Sequence, residues 1–332
     1  MTADFTWRDA GRTVVLRRGG VASAVELLRE SGVDEFELLS TERALGAHGL
    51  AEAAGRVHEV APGQVPGLAA ALLDAVALRP LVALGGGRVI DVAKAIAAVS
   101  GAEVVAIPTT LSGAEMTAIH RLPAGAEQRV KGMVRPSLVI ADPEAMTSQE
   151  EGQLRASAMN ALAHGADTLY LPLSNPVSEM AALRGAALIA SALDQERERR
   201  DRAALALGSL LCGYAIDSAG LGLHHVIAQT LVRICGTPHA ETNAAVLPPA
   251  LAFLAERAPG AIEPLAVSLG VDLAGLRQRI EELGRPRPLT ECGGDASRID
   301  EAIEAMLKRS ELAHVPGSVS RQELTELVRS AW

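Results

Sequence analysis

Short apolar runs and longer amphipathic segments alternate through the first half of the chain. Six apolar runs predict buried strands, at residues 13–16, 36–39, 57–60, 81–84, 104–107 and 138–140. Four segments with helical spacing lie between strands, at residues 21–31, 45–55, 65–77 and 90–100. Strands that alternate with helices are typical of a parallel sheet covered on both faces. This half of the chain is therefore predicted to be an α/β domain.

From about residue 148 the pattern changes to Ala- and Leu-rich segments with helical spacing and almost no β-branched run. Such a sequence favours an all-helical fold. We therefore predict two domains, in which residues 1–147 form the α/β domain and residues 148–332 form the all-helical domain.

Two segments of the second half need separate interpretation. Residues 203–232 are apolar over a length that suits a membrane span, but Asp217, His224, His225 and Gln229 interrupt them. A buried helix is the better interpretation, because ionisable side chains are costly in a bilayer. Residues 194–202 form a charge cluster, which is expected to be a solvated helix face or loop.

Composition narrows the classes of function. The chain has 332 residues, a formal net charge of −9 and only 2% aromatic residues. Nucleic acids and anionic membranes attract positive surfaces, and nucleic acids also use aromatic stacking, so neither is expected as a partner. Three widely spaced cysteines without a CxxC pair disfavour a disulfide framework and indicate a reducing, cytoplasmic compartment.

Three consecutive glycines follow the predicted strand at residues 81–84. Gly85, Gly86 and Gly87 stand directly before Arg88 and a predicted helix. Glycines at such a junction let the backbone approach a phosphate, and the start of the helix offers free N–H groups. The same pattern also occurs in ordinary tight turns, and it is not the GxGxxG fingerprint.

A second loop, at residues 107–117, follows the next strand and is rich in hydroxyl groups. It contains Thr109, Thr110, Ser112 and Thr117. Ligands of open α/β sheets bind at the carboxyl ends of strands, and hydroxyls there suit the phosphates and ribose of a nucleotide. An ordinary polar loop with helix caps remains the alternative.

Histidines mark the helical half. Asn160 and His164 are four residues apart in a helical segment, so both project from one face. His225 and His239 follow in segments punctuated by Gly and Pro. A lone histidine on an apolar helix is most often a core residue, but three in such contexts favour a functional site.

Taken together and in order, these motifs resemble a known family. They are GGGxxxDxxK at residues 85–94, IPTT and GAEMT at 107–117, MNALAH at 159–164, GLHH at 222–225 and PHAETNAAVLP at 238–248. This set is similar to the iron-containing alcohol dehydrogenase superfamily and, within it, to maleylacetate reductases. The resemblance implies a Rossmann-like dinucleotide-binding domain followed by an all-helical substrate domain, the dehydroquinate synthase-like architecture.

The resemblance also implies roles for single residues. Those matching the two nucleotide loops are Gly85, Gly86, Gly87, Arg88, Asp91, Thr109, Thr110 and Ser112. His164, His225 and His239 match the histidines that bind iron or zinc in metal-dependent relatives and that line the substrate pocket in the reductases. The cofactor that the resemblance implies is NAD or NADP. The sequence leaves both open, because Glu42 would suit a ribose diol and Arg43 a 2′-phosphate.

Asn160 bears on whether a metal is bound. Metal-dependent members place an aspartate at this position, one turn before the histidine. An amide removes the negative charge that would offset a divalent cation. Iron or zinc at His164, His225 and His239 is therefore doubtful, and the reductase branch is favoured.

The leading hypothesis is a cytoplasmic, homodimeric NAD(P)H-dependent reductase that converts a small oxo acid of the maleylacetate type into its saturated 3-oxo acid. His225 and His239 would polarise the oxo group, and His164 and Asn160 would orient the substrate or supply a proton.

Two alternatives stay open. One is a metal-dependent alcohol or polyol dehydrogenase. The other is a diverged member with non-standard chemistry or an accessory role in nucleotide binding. Three departures from the family pattern motivate it: Arg88 for serine, and Gln229 and Asn243 for histidines.

Overall fold

Two compact units make up the chain. The computed structural model describes residues 4–9, 11–46, 49–76 and 79–332. The first unit is Met1–Gln149 and the second is Glu150–Trp332.

A single mixed sheet forms the centre of the first unit. Its strands are β1 (Phe5–Asp9), β2 (Arg12–Leu16), β3 (Glu37–Ser40), β4 (Arg56–Glu59), β5 (Leu81–Gly85), β6 (Val104–Pro108) and β7 (Leu138–Ala141). In the described residues their order is β1-β2-β7-β6-β5-β3-β4. All neighbouring strands are parallel except β1, which pairs antiparallel with β2.

The six apolar runs correspond to β2 through β7, so the α/β prediction is confirmed. The hydrophobic pattern does not predict β1. Its sequence FTWRD has no continuous apolar run, and it joins the sheet by backbone pairing with β2 at one edge. The sheet is therefore mixed rather than purely parallel.

Helices cover both faces of this sheet. They are α1 (Ala24–Glu30), α2 (Glu42–Leu45), α3 (Leu50–Ala53), α4 (Val65–Leu73), α5 (Gly87–Ser100) and α6 (Pro143–Met146). Alternate strand residues enter two separate cores. Leu38 and Leu84 pack in the core that contains α1, whereas Leu39 and Ala83 pack in the core that contains α5.

Two predicted helices are shorter than the sequence pattern indicated. The segment 45–55 contains the end of α2 and all of α3, and Gly49, with φ of 66°, precedes α3. Residues 47 and 48 of that segment lie outside the described residues. The helix predicted at 65–77 ends at Leu73, and its last predicted residue is also outside the described part.

The second unit contains helices and loops, and no strand, among its described residues. Its helices are α7 (Glu151–Thr168), α8 (Pro176–Leu193), α9 (Arg202–Ala219), α10 (Leu223–Cys235), α11 (His239–Arg257), α12 (Pro259–Ser268), α13 (Leu276–Gly284), α14 (Leu289–Cys292), α15 (Ile299–Leu307) and α16 (Arg321–Ala331). This confirms the prediction of a helical second half. Cys212, Cys235 and Cys292, all within the described residues, are free, as the sequence predicts.

The apolar stretch at 203–232 forms two helices rather than one. Helices α9 and α10 meet at 98°, with Gly220 at a φ of 89° at the break. Among the described residues, no single helix is long and apolar enough to cross a membrane, and only this bent pair together reaches such a length and composition.

The charge cluster at 194–202 is not wholly a solvated face, so that prediction is wrong in part. Arg200 is only 8% exposed, and its two terminal nitrogens each donate to Glu151 at 2.8 Å. Arg155 donates to the same carboxylate through Nε at 2.7 Å. The hydrogen bonds from Arg200, followed by those from Arg155, lower the pKa of Glu151 to about 2. Glu151 therefore forms ion pairs with two buried guanidinium groups.

We expect Glu151→Gln to lower the free energy of unfolding by about 2 kcal/mol, because it leaves Arg155 and Arg200 buried without a carboxylate. Urea denaturation would measure the change. The matched control is Glu196→Gln, an exposed carboxyl in the neighbouring loop, for which we expect a change below about 0.5 kcal/mol. Equal effects of the two substitutions would contradict the assignment.

Candidate active site

Two loops of the first unit leave the sheet at the same edge. Strands β5 and β6 are parallel neighbours, and Gly85 is in register with Pro108 at their carboxyl ends. The glycine loop and the hydroxyl loop therefore begin side by side. The chain also reverses its direction across the sheet here, because it passes from β3 out to β4 and then back over β3 to β5. Such a switch point is where ligands of open α/β sheets bind.

Close packing between these loops explains two of the three glycines. A Cβ at Gly87 would lie 2.9 Å from Ser112 Cβ, and one at Gly86 would lie 3.0 Å from Thr110 Cγ2. The Thr109 N–H donates to the Gly85 carbonyl at 3.0 Å. The structure thus brings the sequence-predicted residues of both loops together. Gly86 and Gly87 are needed by the protein's own packing, whatever ligand binds there.

Lys94 ties the hydroxyl loop to α5. Its side chain is completely buried and donates to the carbonyls of Ala114 at 2.9 Å and Ile119 at 2.8 Å. It also forms an ion pair at 2.9 Å with Asp91, a predicted cofactor residue. Arg88, in the first turn of α5, is exposed. Asp91 thus acts on the loop through Lys94, whereas Arg88 is open to solvent.

Glu115, in the same loop, is a buried carboxyl group that the sequence pattern does not reveal. Its side chain is completely buried, and Oε1 has no hydrogen-bond partner among the described residues. Ser112 donates to Oε2 at 3.5 Å. Burial raises the pKa of Glu115 to about 7, against the lowering effects of its backbone hydrogen bond and of Lys94. The carboxyl group is thus balanced between its neutral and charged forms near neutral pH.

The second unit brings the predicted histidines to three helices. Asn160 and His164 lie buried one turn apart on α7, His225 lies in the first turn of α10, and His239 begins α11. The rings of His164 and His225 stack at 4.8 Å with an angle of 7° between their planes. His239 is exposed, and its charge contributes to lowering the pKa of His164.

Burial favours the neutral forms of two histidine rings, those of His164 and His224. It lowers the pKa of His164 well below its ordinary value, and the nearby His225 lowers it further. His224, edge-on to His225 at 4.8 Å, has its pKa lowered to about 3, again chiefly by burial. His224 Nε2 donates to the Asn243 carbonyl at 3.0 Å. Neutral imidazoles can accept a proton, donate a hydrogen bond or bind a metal.

Asp167 was not singled out from the sequence, although it lies three residues after His164. It is completely buried on α7 and accepts the Nδ1–H of His225 at 2.6 Å. Tyr170 donates to its other oxygen at 2.7 Å, and the Gly222 N–H donates at 3.0 Å. A signal existed, because the i, i+3 spacing places Asp167 near the face that carries His164.

The two other departures from the family pattern make contacts within the second unit. Asn243 donates to the His239 carbonyl at 2.7 Å, and the same amide nitrogen lies 3.3 Å from His239 Nε2. Gln229 accepts a hydrogen bond from Arg309 at 3.1 Å. Neither contact involves the stacked pair His164 and His225.

A divalent metal fits this donor set poorly. Asp167, His224 and His225 each place a ligand atom within 4.8 Å of the others, so distance alone makes them a candidate group. Both oxygens of Asp167 already accept hydrogen bonds, and His224 Nε2 donates to a carbonyl. The nitrogens that have no partner among the described residues carry no negative charge to balance a cation.

Family models match both halves of the chain. The model described as "Fe-containing alcohol dehydrogenase family, C-terminal" matches residues 155–332. The model described as "Iron-containing alcohol dehydrogenase" matches residues 61–143. The matched segments contain the glycine loop, the hydroxyl loop and the histidines.

Individual proteins are similar over most of their length. The chain is 32% identical to maleylacetate reductase 1 of Rhodococcus opacus, over 82% of this chain and 78% of that protein. It is 31% identical to the maleylacetate reductase of a Rhizobium species, over 90% of each. The crystal structure of maleylacetate reductase from Agrobacterium tumefaciens superposes with a TM-score of 0.84 at 29% identity, covering 100% of this chain and 99% of that one.

We expect Gly87→Ala to weaken binding of the reduced dinucleotide about tenfold, or about 1.4 kcal/mol, because the new methyl group displaces Ser112 and its loop. Fluorescence of NADH or NADPH would measure the dissociation constant. Ser112→Gly alone reports the effect of losing the hydroxyl, and adding Gly87→Ala to it should weaken binding by much less than tenfold, because the collision is gone. Gly67→Ala, whose Cβ would meet no atom within 4 Å, is the control. If Gly87→Ala weakens binding equally with and without Ser112, loop packing is not the reason for this glycine.

The raised pKa of Glu115 predicts that the protein loses stability as the pH rises. Its pKa in the folded protein is about 7 against an ordinary 4.5, so the unfolded chain releases this proton first as the pH rises. The free energy of unfolding therefore falls between those pH values, by roughly 3 kcal/mol in total, and the loss is complete above them.

Glu115→Gln abolishes this titration. Its stability relative to the wild type should grow across the same pH range in urea denaturation. Glu52→Gln, an exposed glutamate of the same unit, should show no such trend. A difference between Glu115→Gln and wild type that stays constant with pH would show that the pKa of the buried carboxyl is not raised.

Proposed function

The chain belongs to the iron-containing alcohol dehydrogenase family, and we propose that it is a NAD(P)H-dependent reductase that acts on maleylacetate or a closely similar unsaturated oxo-dicarboxylate. Family membership makes it an oxidoreductase that uses a nicotinamide dinucleotide. The observation that carries the choice of reaction is the buried pair His164 and His225, which offers imidazole nitrogens without a free carboxylate for a metal. The two maleylacetate reductases at 31% and 32% identity support the substrate class.

The glycine and hydroxyl loops are proposed to hold the dinucleotide. The first turn of α5 presents N–H groups that have no intrahelical partner, which suits a pyrophosphate. Gly85, Gly86 and Gly87 keep the backbone accessible there, and Arg88 is exposed beside them. The half-buried side chains of Thr109, Thr110 and Ser112 add hydroxyl groups. Asp91 contributes indirectly, by pairing with the Lys94 that fixes the second loop.

The reaction adds one hydride and one proton to the substrate. Bound NAD(P)H would supply the hydride to one alkene carbon. The alkene electrons then move onto the carbonyl oxygen as an enolate, and a proton adds at the other alkene carbon to give the saturated 3-oxo acid. The enolate oxygen needs a hydrogen-bond donor, and the alkene carbon needs a proton source.

The histidines are proposed to meet these two needs. His225 and His239 would donate hydrogen bonds to the oxo group and to the enolate. His164 and Asn160, one turn apart on α7, would orient the substrate or deliver the proton. Burial of Asn160, His164 and His225 excludes water and so strengthens these hydrogen bonds.

The choice between NAD and NADP is proposed to depend on the segment after β3. Glu42 and Arg43 are exposed in α2, which follows the carboxyl end of β3 at the switch point of the sheet. Glu42 favours a ribose diol and Arg43 favours a 2′-phosphate. A homodimer, a cytoplasmic location and a role in aromatic-compound breakdown are further proposals, supported by the resemblance to the reductases.

A metal-dependent alcohol dehydrogenase is the second candidate, because Asp167, His224 and His225 lie close enough to form a metal group. In that case a bound cation would act as a Lewis acid on an alcohol oxygen. The hydrogen bonds that already engage Asp167 count against it.

We expect the purified protein to oxidise NADH or NADPH in the presence of maleylacetate, which the loss of absorbance of the reduced nicotinamide would follow. Treatment with a chelator and its removal should leave the rate within about twofold, since no step proposed for the histidines needs a cation. KM values for the two dinucleotides would settle the preference.

Absence of turnover with both dinucleotides would refute the proposed reaction. Loss of turnover on chelation, with recovery on adding iron or zinc, would instead favour the alcohol dehydrogenase. Alcohols with oxidised dinucleotide serve as the parallel substrate panel.

A further inference from the structure

Asp167 holds one nitrogen of His225 and leaves the other without a partner. The carboxylate accepts the His225 Nδ1–H at 2.6 Å, and both residues are at least 95% buried. His225 Nε2 is buried and has no hydrogen-bond partner among the described residues. The ring is thus fixed on one side and available on the other.

The carboxylate of Asp167 is itself held by groups from outside α7. Tyr170 donates to Oδ1 and the Gly222 N–H donates to Oδ2, while the Leu223 N–H donates to the Tyr170 hydroxyl at 2.6 Å. Together with the bond from His225, the carboxylate accepts three hydrogen bonds, which hold it in one orientation.

Gly222 packs directly against Asp167 and Tyr170 and leaves no room for a side chain. A Cβ at this position would collide with the Tyr170 hydroxyl and would lie 2.7 Å from Oδ1 of Asp167. Gly222 has extended backbone angles that any residue adopts, so the requirement for glycine is steric. The start of α10, which carries His225, can approach the carboxylate only because this position has no side chain.

A histidine with a purely structural role looks different in the same chain. His120 Nδ1–H donates to the Arg121 carbonyl at 2.8 Å, and its Nε2 accepts the Val134 N–H at 3.1 Å. Both of its nitrogens are used by the protein. His225 has only one nitrogen used in this way, and its free nitrogen belongs to the ring that stacks on His164.

We propose that Asp167 is a positioning residue for the reduction, which fixes the proton on His225 Nδ1 and aims Nε2 at the reacting oxo group. This role rests on the proposed function, because it requires that His225 faces the substrate. For this role the ring carries a proton on each nitrogen, so that Nδ1–H donates to Asp167 and Nε2–H donates to the oxo oxygen and to the enolate that develops from it. The Asp167 carboxylate stabilises the positive charge of this doubly protonated ring. Tyr170 and Gly222 act on the ring through the carboxylate that they hold.

The test compares Asp167→Asn with the wild type in steady-state reduction of maleylacetate. We expect kcat to fall about a hundredfold, with KM and NADH affinity within about threefold, because the carboxylate acts on the ring during the reaction and not on binding. Asp300→Asn, whose side chain is 88% exposed, is the matched control and should keep the wild-type kcat. Thermal unfolding followed by circular dichroism establishes the folded fraction of each variant.

Two further variants separate positioning from a structural role. Tyr170→Phe removes a support of the carboxylate and leaves Asp167 and His225 intact, so we expect a loss in kcat below about tenfold. Gly222→Ala displaces the carboxylate without changing any charge, and its kcat should fall towards that of Asp167→Asn. Gly152→Ala, whose Cβ would meet nothing within 4 Å, is the control for this substitution. A folded Asp167→Asn variant with wild-type kcat would overturn the proposal.

A measurement made without substrate tests the positioning role of Asp167 separately from the proposed reaction. Nuclear magnetic resonance of isotope-labelled histidine reports which ring nitrogen bears the proton. We expect His225 of the wild type to be protonated on Nδ1, and Asp167→Asn to change its nitrogen shifts while leaving those of His120 unchanged. An unchanged His225 spectrum overturns the positioning role. Lack of maleylacetate turnover in the wild type, with the expected spectra, overturns only the proposed reaction.

Discussion

Close approach of the backbone is the constraint on which much of this structure depends. Only 2% of the residues are aromatic, so the interior is filled with small aliphatic side chains and the elements lie near one another. Between α8 and α9, a Cβ at Gly185 would lie 2.8 Å from the Gly208 carbonyl oxygen. The glycine loop packs on the hydroxyl loop in the same way, and Gly222 packs on Asp167. An added methyl group at such contacts forces neighbours apart.

Because the interior is densely packed, it is informative which buried polar groups have hydrogen-bond partners and which have none. Lys94, Asp167 and Arg200 are buried and each is held by several hydrogen bonds. Glu115 Oε1 and His225 Nε2 are buried without a partner among the described residues, and they lie in the hydroxyl loop and the histidine cluster. Because an unsatisfied buried polar atom costs free energy, such atoms are expected where a ligand completes the hydrogen bonds. Ser209 Oγ, on α9, is also buried without such a partner, so these atoms support the two loops and the histidines as sites only together with the resemblance.

Much of the fold could be predicted from local pattern. Runs such as Leu81–Gly85 are apolar on both faces, which is typical of a strand covered on both sides, and the helical half follows from Ala and Leu at helical spacing. The strand Phe5–Asp9 was not predicted because its place at the sheet edge comes from pairing with its neighbour rather than from hydrophobicity. The burial of Arg200 was not predicted because a charged residue in a charged run gives no local sign of its distant partner Glu151.

The sequence by itself determined which chemical groups are present and how they are spaced along each element. It put three glycines after the β5 run, hydroxyls after β6, and Asn160 and His164 on one face of a helix. Only the tertiary structure decided that Asp167 meets His225, 58 residues farther along, and that Ser112 fills the space beside Gly87. Periodicity reports the face on which a side chain lies, whereas its partner is set by how distant helices and loops pack. For that reason the candidate residues could be found in the sequence, while the hydrogen bond between Asp167 and His225 could not.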